Sequence, residues 1–343
     1  MNQKTVKNIV LIATSFAIVV LLLGAFTRLS HAGLGCPDWP GCYGFHHIPT
    51  AQDDIHAANQ AYPDKPYQFE KAWPEMVHRY FAGTLGLLVL ALAILSLKPQ
   101  NHPARLHSFG LLLLIIFQAA LGMWTVTMKL HPGIVMSHLM GGITTLVLLA
   151  SLSQRYILQF KTLPPIANLS RTIRIVMVAT LVVALQIVLG GWTSANYAAT
   201  VCIELPICQG DWISNSDFVT GFTLWGHGAE NYEYGILDSA GRTAIHVSHR
   251  IGAIISLIVV GYTSYFLVQK SESLVLKKFG YLIGALLLIQ ISLGIINIVA
   301  HLPLFNAVAH NGGWRAISLD PRCSFDTFTD DTKESNFRWF TGN

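Results

Sequence analysis

Charged side chains are scarce in this chain of 343 residues, where aspartate, glutamate, lysine and arginine together make up 12% of the sequence. Soluble domains carry about 25% of these residues, so the composition excludes an ordinary water-soluble fold. The chain also lacks a clustered basic patch, so its net charge of +4 does not indicate a nucleic-acid partner. Hydrophobic residues are abundant, at 52%, and the mean hydropathy is +0.48. The composition therefore predicts an all-α integral membrane protein.

Seven apolar runs are long enough to cross a hydrocarbon core of about 30 Å as helices that rise about 1.5 Å per residue. They lie near 8–26, 75–97, 108–128, 134–153, 175–193, 244–268 and 279–300. An eighth run begins at about Leu304, but polar and charged sequence follows Gly312 and Gly313, where more apolar residues are needed. The sequence therefore predicts eight transmembrane helices, the eighth incomplete, and an atypical polar tail over 313–343.

The distribution of lysine and arginine predicts the orientation of these spans. Positively charged residues are concentrated in the loops on the same side as the N-terminus, while the two long loops, roughly 28–73 and 194–242, lie on the opposite side. Cytoplasmic loops of membrane proteins carry an excess of lysine and arginine. We therefore expect a multi-pass protein of the cytoplasmic membrane, inner in a cell with two membranes, with its N-terminus in the cytoplasm.

Histidine recurs at corresponding places in the two halves of the chain. The segment Glu-Met-Val-His-Arg at 75–79 recurs as His-Val-Ser-His-Arg at 246–250, and His78 and His249 are each followed, at nearly equal spacing, by His138 and His310. Neutral imidazole is the commonest axial ligand of heme iron. A duplicated histidine pair inside apolar helices therefore predicts two hemes, each held between two histidines. For any single histidine, the alternative is an interfacial side chain bonded to a neighbour.

The other histidines fall in loops or at helix ends, and we expect them to be solvated. They are His31, His46, His47, His56, His102, His107, His131, His227 and His301.

The repeat predicts the domain organisation. Each half contains four spans, an even number, so the two halves share one orientation and are related by a pseudo-twofold axis along the membrane normal. We expect an N-terminal four-helix bundle over 1–160, a C-terminal four-helix bundle over 170–312 and the polar tail over 313–343. Within each half, the histidines of the second and fourth helices can face each other across the bundle.

The cysteines follow the same repeat. Cys36 and Cys202 occupy corresponding places in the two long outer loops, and each is followed six positions later by a partner, Cys42 and Cys208. This spacing is wider than that of a CxxC metal clamp, and an oxidising compartment favours disulfides. We predict two loop disulfides, with a redox-active thiol pair as the alternative. Cys323 receives no assignment.

Glu75 breaks the symmetry, because His246 stands at the corresponding position of the second half. A carboxylate near the bilayer interior costs about 2–3 kcal/mol unless it is paired or used, so Glu75 is a candidate catalytic residue; the alternative is an interfacial ion pair with Lys71 or Arg79. Arg79 and Arg250 directly follow two ligand candidates and lie where heme propionates need cations. Ordinary snorkelling of these arginines to the interface is the alternative.

The segment Gln-x-x-Leu-Gly occurs three times, beginning at Gln118, Gln186 and Gln290. We interpret it as tight helix packing through glycine, with a hydrogen bond from the amide to a neighbouring helix.

Several of these motifs together resemble those of the heme A synthase family, over roughly residues 8–310. The resemblance rests on Thr27-Arg28-Leu29, Gly33-Leu34, Cys36-Pro37-Asp38-Trp39-Pro40, Glu75-Met76-Val77-His78-Arg79, Gln118 with Leu121-Gly122, His138 with Gly141-Gly142, and His249-Arg250.

This resemblance implies an eight-helix oxidoreductase that converts the C8 methyl group of heme O to the formyl group of heme A by successive hydroxylations, for cytochrome oxidase assembly. It implies that the substrate heme lies between His78 and His138 beside Glu75. It also implies that heme b lies between His249 and His310, and that Cys36 and Cys42 form the family's disulfide. The partners it implies are the lipid bilayer, heme O, an enzyme that supplies heme O, and cytochrome oxidase assembly factors; a homo-oligomer is a further expectation.

Two rival functions use the same sequence differently. A non-catalytic diheme cytochrome that passes electrons from quinol would use the four histidines but give Glu75 no task. A transporter with a four-plus-four repeat would need paired helix breaks at mid-membrane, which these spans lack. Because the eighth span is incomplete, we also expect heme to be bound more securely in the N-terminal half than in the C-terminal half.

Overall fold

The computed structural model describes residues 3–98, 105–158 and 168–318. These residues form ten helices and no strand. The helices are α1 (Gln3–Leu29), α2 (Gln52–Ala61), α3 (Phe69–Ser96), α4 (Arg105–Thr127), α5 (Pro132–Leu158), α6 (Leu169–Ala195), α7 (Phe218–Gly221), α8 (Ser239–Gln269), α9 (Leu274–Val299) and α10 (Leu304–Ser318).

Seven of the helices in the described part of the chain, α1, α3, α4, α5, α6, α8 and α9, are long and apolar enough to cross a membrane. Their outer faces carry large hydrophobic side chains: Leu87, Leu113 and Leu288 are 68%, 69% and 66% exposed. Such continuous apolar exposure is unfavourable in water and favourable against lipid. The predicted all-α, multi-pass membrane fold is therefore confirmed.

The long helices pack as two four-helix groups. In the N-terminal half, α1 and α4 both contact α3 and α5, so the four helices close a ring; in the C-terminal half, α8 lies between α6 and α9, and α10 packs against α9 and more lightly against α6. The two groups meet through α1 with α10 and through α5 with α6. These two contacts exchange under a twofold operation, because α1 corresponds to α6 and α5 to α10 in the repeat. The packing is that of two parallel four-helix repeats.

The eighth helix, α10, has 15 residues, which is shorter than the 20 or so residues that span a bilayer. Its first turns are nevertheless well anchored, since Asn306 Nδ2 donates to the carbonyl of Leu293 and to Asn297 Oδ1 at 2.8 and 2.7 Å. Residues 319–343, with Cys323 and most of the predicted tail, lie outside the described residues. Weaker heme retention in the C-terminal half stays a prediction.

Both predicted loop disulfides are formed. The sulfur atoms of Cys36 and Cys42 lie 2.00 Å apart and those of Cys202 and Cys208 lie 2.03 Å apart. Cys36 and Cys42 are completely buried with Tyr43 and Met76 in a small hydrophobic cluster. The first disulfide therefore belongs to the packed interior of the outer loop, directly above α3.

The arginine that follows the first histidine of each pair holds the disulfide loop of its own half. Arg79 Nη1 donates to the backbone carbonyls of Asp38, Pro40 and Gly41. Arg250 donates through Nη1 to the carbonyls of Glu204 and Ile207 and through Nη2 to that of Cys202. A guanidinium group can satisfy several carbonyls at once because its five N–H donors spread over a plane. Both arginines are thus occupied by the loops rather than extended toward the membrane surface as in snorkelling.

We expect Arg250→Met to loosen the second outer loop, because three backbone carbonyls would lose a charged donor, and such bonds contribute about 1.5–3 kcal/mol each. Limited proteolysis of the purified protein should show faster cleavage within 203–217, together with a lower melting temperature. Arg174→Met is the matched control, since Arg174 is exposed and bonds only to Ser170 in its own helix. Equal cleavage rates in the two variants would contradict the anchoring role.

Candidate functional site

A largely apolar cavity of about 570 Å³ lies among the helices of the N-terminal half. Helices α1, α3, α4 and α5 form most of its wall; the long loop over 30–68 adds to it, and the other half contributes Gly191 and Ser194 of α6 and Asn311 of α10. The polar and charged side chains that line it are few: Thr27, Arg28, His46, Glu75, His78, Arg79, Tyr80, Gln118, Thr125, His138, Thr145, Ser194 and Asn311. An apolar volume with a few convergent polar groups is the usual form of a small-molecule site.

His78 on α3 and His138 on α5 face each other in this cavity. Their ring centroids are 6.4 Å apart and the ring planes are nearly perpendicular, at 88°. The Nδ1 atoms of both rings are buried, and among the described residues neither meets the distance and angle of a hydrogen bond with a neighbour. The structure thus brings together the pair that the sequence predicted as ligands of one metal.

Glu75 lies at the wall of the same cavity and is 5% exposed. Its Oε2 accepts the backbone N–H of Cys36 at 2.9 Å, and its Oε1 accepts Arg79 Nη2 in an ion pair. Lys71, the other expected partner, binds Glu233 at 3.2 Å instead. The carboxylate therefore connects the first disulfide loop to the cavity, and it is charge-paired by Arg79 alone.

In the C-terminal half, His249 lies on α8 and His310 on α10, and each is contacted by a glutamine of a neighbouring helix. Gln186 Nε2 lies 3.1 Å from His249 Nδ1 and donates to the His249 carbonyl at 2.9 Å. Gln290 Nε2 is placed in the same way on His310, at 3.0 and 2.7 Å. The interhelical amide hydrogen bonds predicted from Gln-x-x-Leu-Gly are confirmed at these two positions. His310 is thereby well held in the described part of α10.

The residue that corresponds to Glu75 in the second half, His246, also contacts an arginine but carries no carboxylate. His246 is 5% exposed, and its Nε2 accepts a hydrogen bond from Arg250 Nε at 3.2 Å. An arginine therefore pairs with the residue four positions before it in both halves. The carboxylate occurs only in the N-terminal half.

Each of the four histidines packs against a glycine of a neighbouring helix, which the sequence analysis did not predict. A Cβ atom built on Gly24, Gly122, Gly190 or Gly294 would lie 3.0, 3.5, 2.9 or 3.2 Å from the Cε1 atom of His78, His138, His249 or His310, respectively. In three cases the glycine ends a Gln-x-x-Leu-Gly segment. The spacing of glutamine and glycine in this segment could have predicted the contact. A glutamine that binds one turn of a facing helix places the residue four positions later against the next turn of that helix.

One expectation about the remaining histidines is wrong. His131 is only 4% exposed and stacks on Trp225, with ring centroids 4.1 Å apart. The loop that carries Trp225 folds back over the end of α4, and this burial lowers the pKa of His131. His107 is also partly buried and bonds to the Leu148 carbonyl. His102 lies outside the described residues.

Comparison with known proteins agrees with these features. The family model described as cytochrome oxidase assembly protein (COX15-CtaA) matches residues 7–318. A heme A synthase of Shewanella oneidensis is 46% identical over 303 residues, which is 87% of this chain and 89% of that protein. Heme A synthases of Maricaulis maris and Wolbachia pipientis are 25% and 26% identical, over 91% and 90% of this chain and 92% and 93% of their own lengths. The chain therefore belongs to the cytochrome oxidase assembly protein family that includes these heme A synthases.

Proposed function

We propose that this protein is a heme A synthase, an oxidoreductase of the cell membrane that converts the C8 methyl group of heme O to a formyl group. The observation that carries this proposal is the opposition of His78 and His138 across an apolar cavity whose wall contains Glu75. The family membership and the 46% identity to a heme A synthase support it. The expected cytoplasmic N-terminus, the enzyme that supplies heme O, the assembly factors and a homo-oligomer belong to the same proposal.

The spacing of the two rings fits a metal ion held from opposite sides. An imidazole–metal bond is about 2.0–2.1 Å long, and the ligating nitrogen lies roughly 1 Å from the ring centre, so two opposed rings have centroids roughly 6 Å apart. The observed separation is 6.4 Å. The cavity volume of about 570 Å³ lies within the range of about 300–1,000 Å³ typical of ligand sites. Heme O, the substrate, would therefore bind between His78 and His138.

The C-terminal half fits a second heme by the chemistry of its donors. His249 and His310 are neutral nitrogen donors, and each is oriented by a glutamine that bonds its backbone carbonyl and approaches its Nδ1. The hydrogen bond to each backbone carbonyl joins two helices and holds the histidine in position. Heme b bound there would supply one-electron transfer. In this proposal the four predicted ligands keep the roles implied by the sequence.

Glu75 acts on the substrate in this proposal, as the proton acceptor at the cavity wall. Arg79 and the Cys36 N–H stabilise the ionised carboxylate. Two successive hydroxylations of the methyl carbon, each a two-electron oxidation by an external oxidant, give a geminal diol. Loss of water from this diol removes a proton from one hydroxyl group and returns a proton to the other, which leaves as water and yields the formyl group. A carboxylate held at the cavity wall is suited to accept and return such a proton. Arg79 positions Glu75 and the disulfide loop, so its own contacts do not favour a propionate partner.

The diheme electron carrier is the alternative that shares these histidines. An electron carrier gives no reason for a carboxylate in one half and not in the other. Glu75 nevertheless lines the N-terminal cavity, and His246 stands at the corresponding position of the C-terminal half. The asymmetry at this position favours the enzyme.

We expect Glu75→Gln to abolish heme A formation while the protein keeps its bound heme, because glutamine retains the size of glutamate but accepts no proton at neutral pH. The measurement is chromatography of hemes extracted from the protein expressed with heme O available, together with a reduced-minus-oxidised spectrum. Glu70→Gln on the same helix is the control, since Glu70 is exposed and does not line the cavity. Heme A produced by the Glu75 variant at the rate of the control would favour the electron carrier.

We expect Gly24→Ala to reduce heme occupancy of the N-terminal half several-fold, whereas Gly122→Ala leaves it nearly unchanged. The new Cβ would lie 3.0 Å from His78 in the first variant and push the ring, but 3.5 Å from His138 in the second, which is an ordinary contact. The two glycines face the two ligands of the same site, so each variant controls for the other. Heme-to-protein ratios that fall equally in both variants would contradict the proposed contact.

A further inference from the structure

Arg28 is a half-buried cation at the wall of the N-terminal cavity, near the C-terminal end of α1. Its Nη2 donates to the backbone carbonyls of Ser194 and Ala195 in α6, and its guanidinium carbon lies 3.9 Å from the ring centroid of Tyr197. The Nε atom is buried and has no hydrogen-bond partner. These partners are neutral, and among the described residues no carboxylate lies within ion-pairing distance of Arg28; Glu233, which acts on it from farther away, is paired with Lys71.

Two other cations in this part of the described structure already form ion pairs. Arg79 pairs with Glu75, and Lys71 pairs with Glu233. Burying an unpaired charge is unfavourable by several kcal/mol. Arg28 therefore has no ion-pair partner among the described residues, and it lines the cavity in which a ligand would lie.

The repeat shows that this charge is specific to one site. Each of the four glycines that face a histidine is followed four residues later by a different residue: Arg28, Val126, Ser194 or Ile298. Of these four residues, only Arg28 is charged. It lies one turn, about 6 Å along the helix axis, beyond the glycine that faces His78.

Arg28 and Glu75 lie at the same level of the bundle. Thr27 Oγ1 donates to the carbonyl of Pro74 at 3.2 Å, and these two residues directly precede Arg28 and Glu75. Helix α1 runs toward the outer loop and α3 returns from it, so both side chains lie on the outer-loop side of the plane of His78 and Gly24. An anion bound to Arg28 would thus belong to the part of the ligand nearest Glu75.

We propose that Arg28 binds a propionate of the substrate heme and thereby sets which edge of the ring faces Glu75. This inference rests on the proposed function. In heme O, the C8 methyl group and the C7 propionate are substituents of the same pyrrole ring. A propionate held by Arg28 therefore brings the adjacent methyl group to the edge of the cavity that contains Glu75. Arg28 is a positioning residue, and the specificity it confers is for a porphyrin with free carboxylates.

The test measures binding of two probes, iron protoporphyrin IX and its dimethyl ester, to the purified full-length protein by absorption titration. The ester removes both carboxylate charges and leaves the iron and the ring unchanged. His78→Ala identifies the part of the signal that belongs to the N-terminal site. The variants are Arg28→Gln and Arg28→Lys, and Arg242→Gln is the matched control, because Arg242 also bonds backbone carbonyls near the outer face but does not line the cavity.

At the N-terminal site, we expect the unmodified protein to bind the acid about tenfold more tightly than the ester. Arg28→Gln should remove this preference, Arg28→Lys should retain part of it, and Arg242→Gln should leave it intact. The ratio of the two affinities is the informative quantity, because a variant that merely destabilises the fold would weaken both probes equally.

A preference for the acid that survives in Arg28→Gln, or an equal loss for both probes, would overturn the role of Arg28 and leave heme binding by His78 and His138 in place. If His78→Ala changed neither titration, the heme site itself, and the proposed function with it, would fail. The two failures are therefore distinguishable.

Discussion

The close contact between a histidine ring and a glycine of the neighbouring helix is the constraint on which the rest of the molecule depends. In a bilayer, helices gain little from hydrophobic association with each other, so they approach through small residues and a few polar contacts. Here the closest approach and the polar contact occur at the same place, since glutamine bonds the histidine backbone one turn away from the glycine at two of the four positions. The same contacts therefore set both the packing of the helices and the orientation of the histidines.

The two halves use this shared framework for different purposes. In both, an arginine one position after the histidine ties the disulfide loop to the bundle. In the C-terminal half, its neighbour is His246, and glutamines hold His249 and His310, the proposed heme ligands, in an arrangement that would suit a group that stays bound. In the N-terminal half, Val20 occupies the place of the glutamine opposite His78, and the cavity contains Glu75 and Arg28. In the proposed function the N-terminal half binds a substrate that enters, reacts and leaves. For such a ligand, charged side chains that bind its polar groups matter more than rigidly held histidines.

Much of this organisation could be predicted from the sequence, because it depends on local properties. Long apolar runs must form helices in lipid to satisfy their backbone groups, and the repeat of His78-Arg79 as His249-Arg250 related the halves before any packing was known. The cysteine spacing predicted both disulfides correctly. The expectation that His131 is solvated was wrong, because the sequence could not show that the distant loop carrying Trp225 would cover it.

The sequence by itself determined that the helices face lipid, and it determined the number and order of the long helices, the histidine pairs and the disulfides. Each of these depends on composition or on short, regular spacing. Only the tertiary structure decided what the charged residues do. It shows that Arg79 and Arg250 bind loop carbonyls, that Glu75 binds the backbone of Cys36, and that Arg28 lines the cavity without an ion pair to any described residue. A charged side chain is long enough to reach several partners, and which of them it meets depends on segments far apart in the chain.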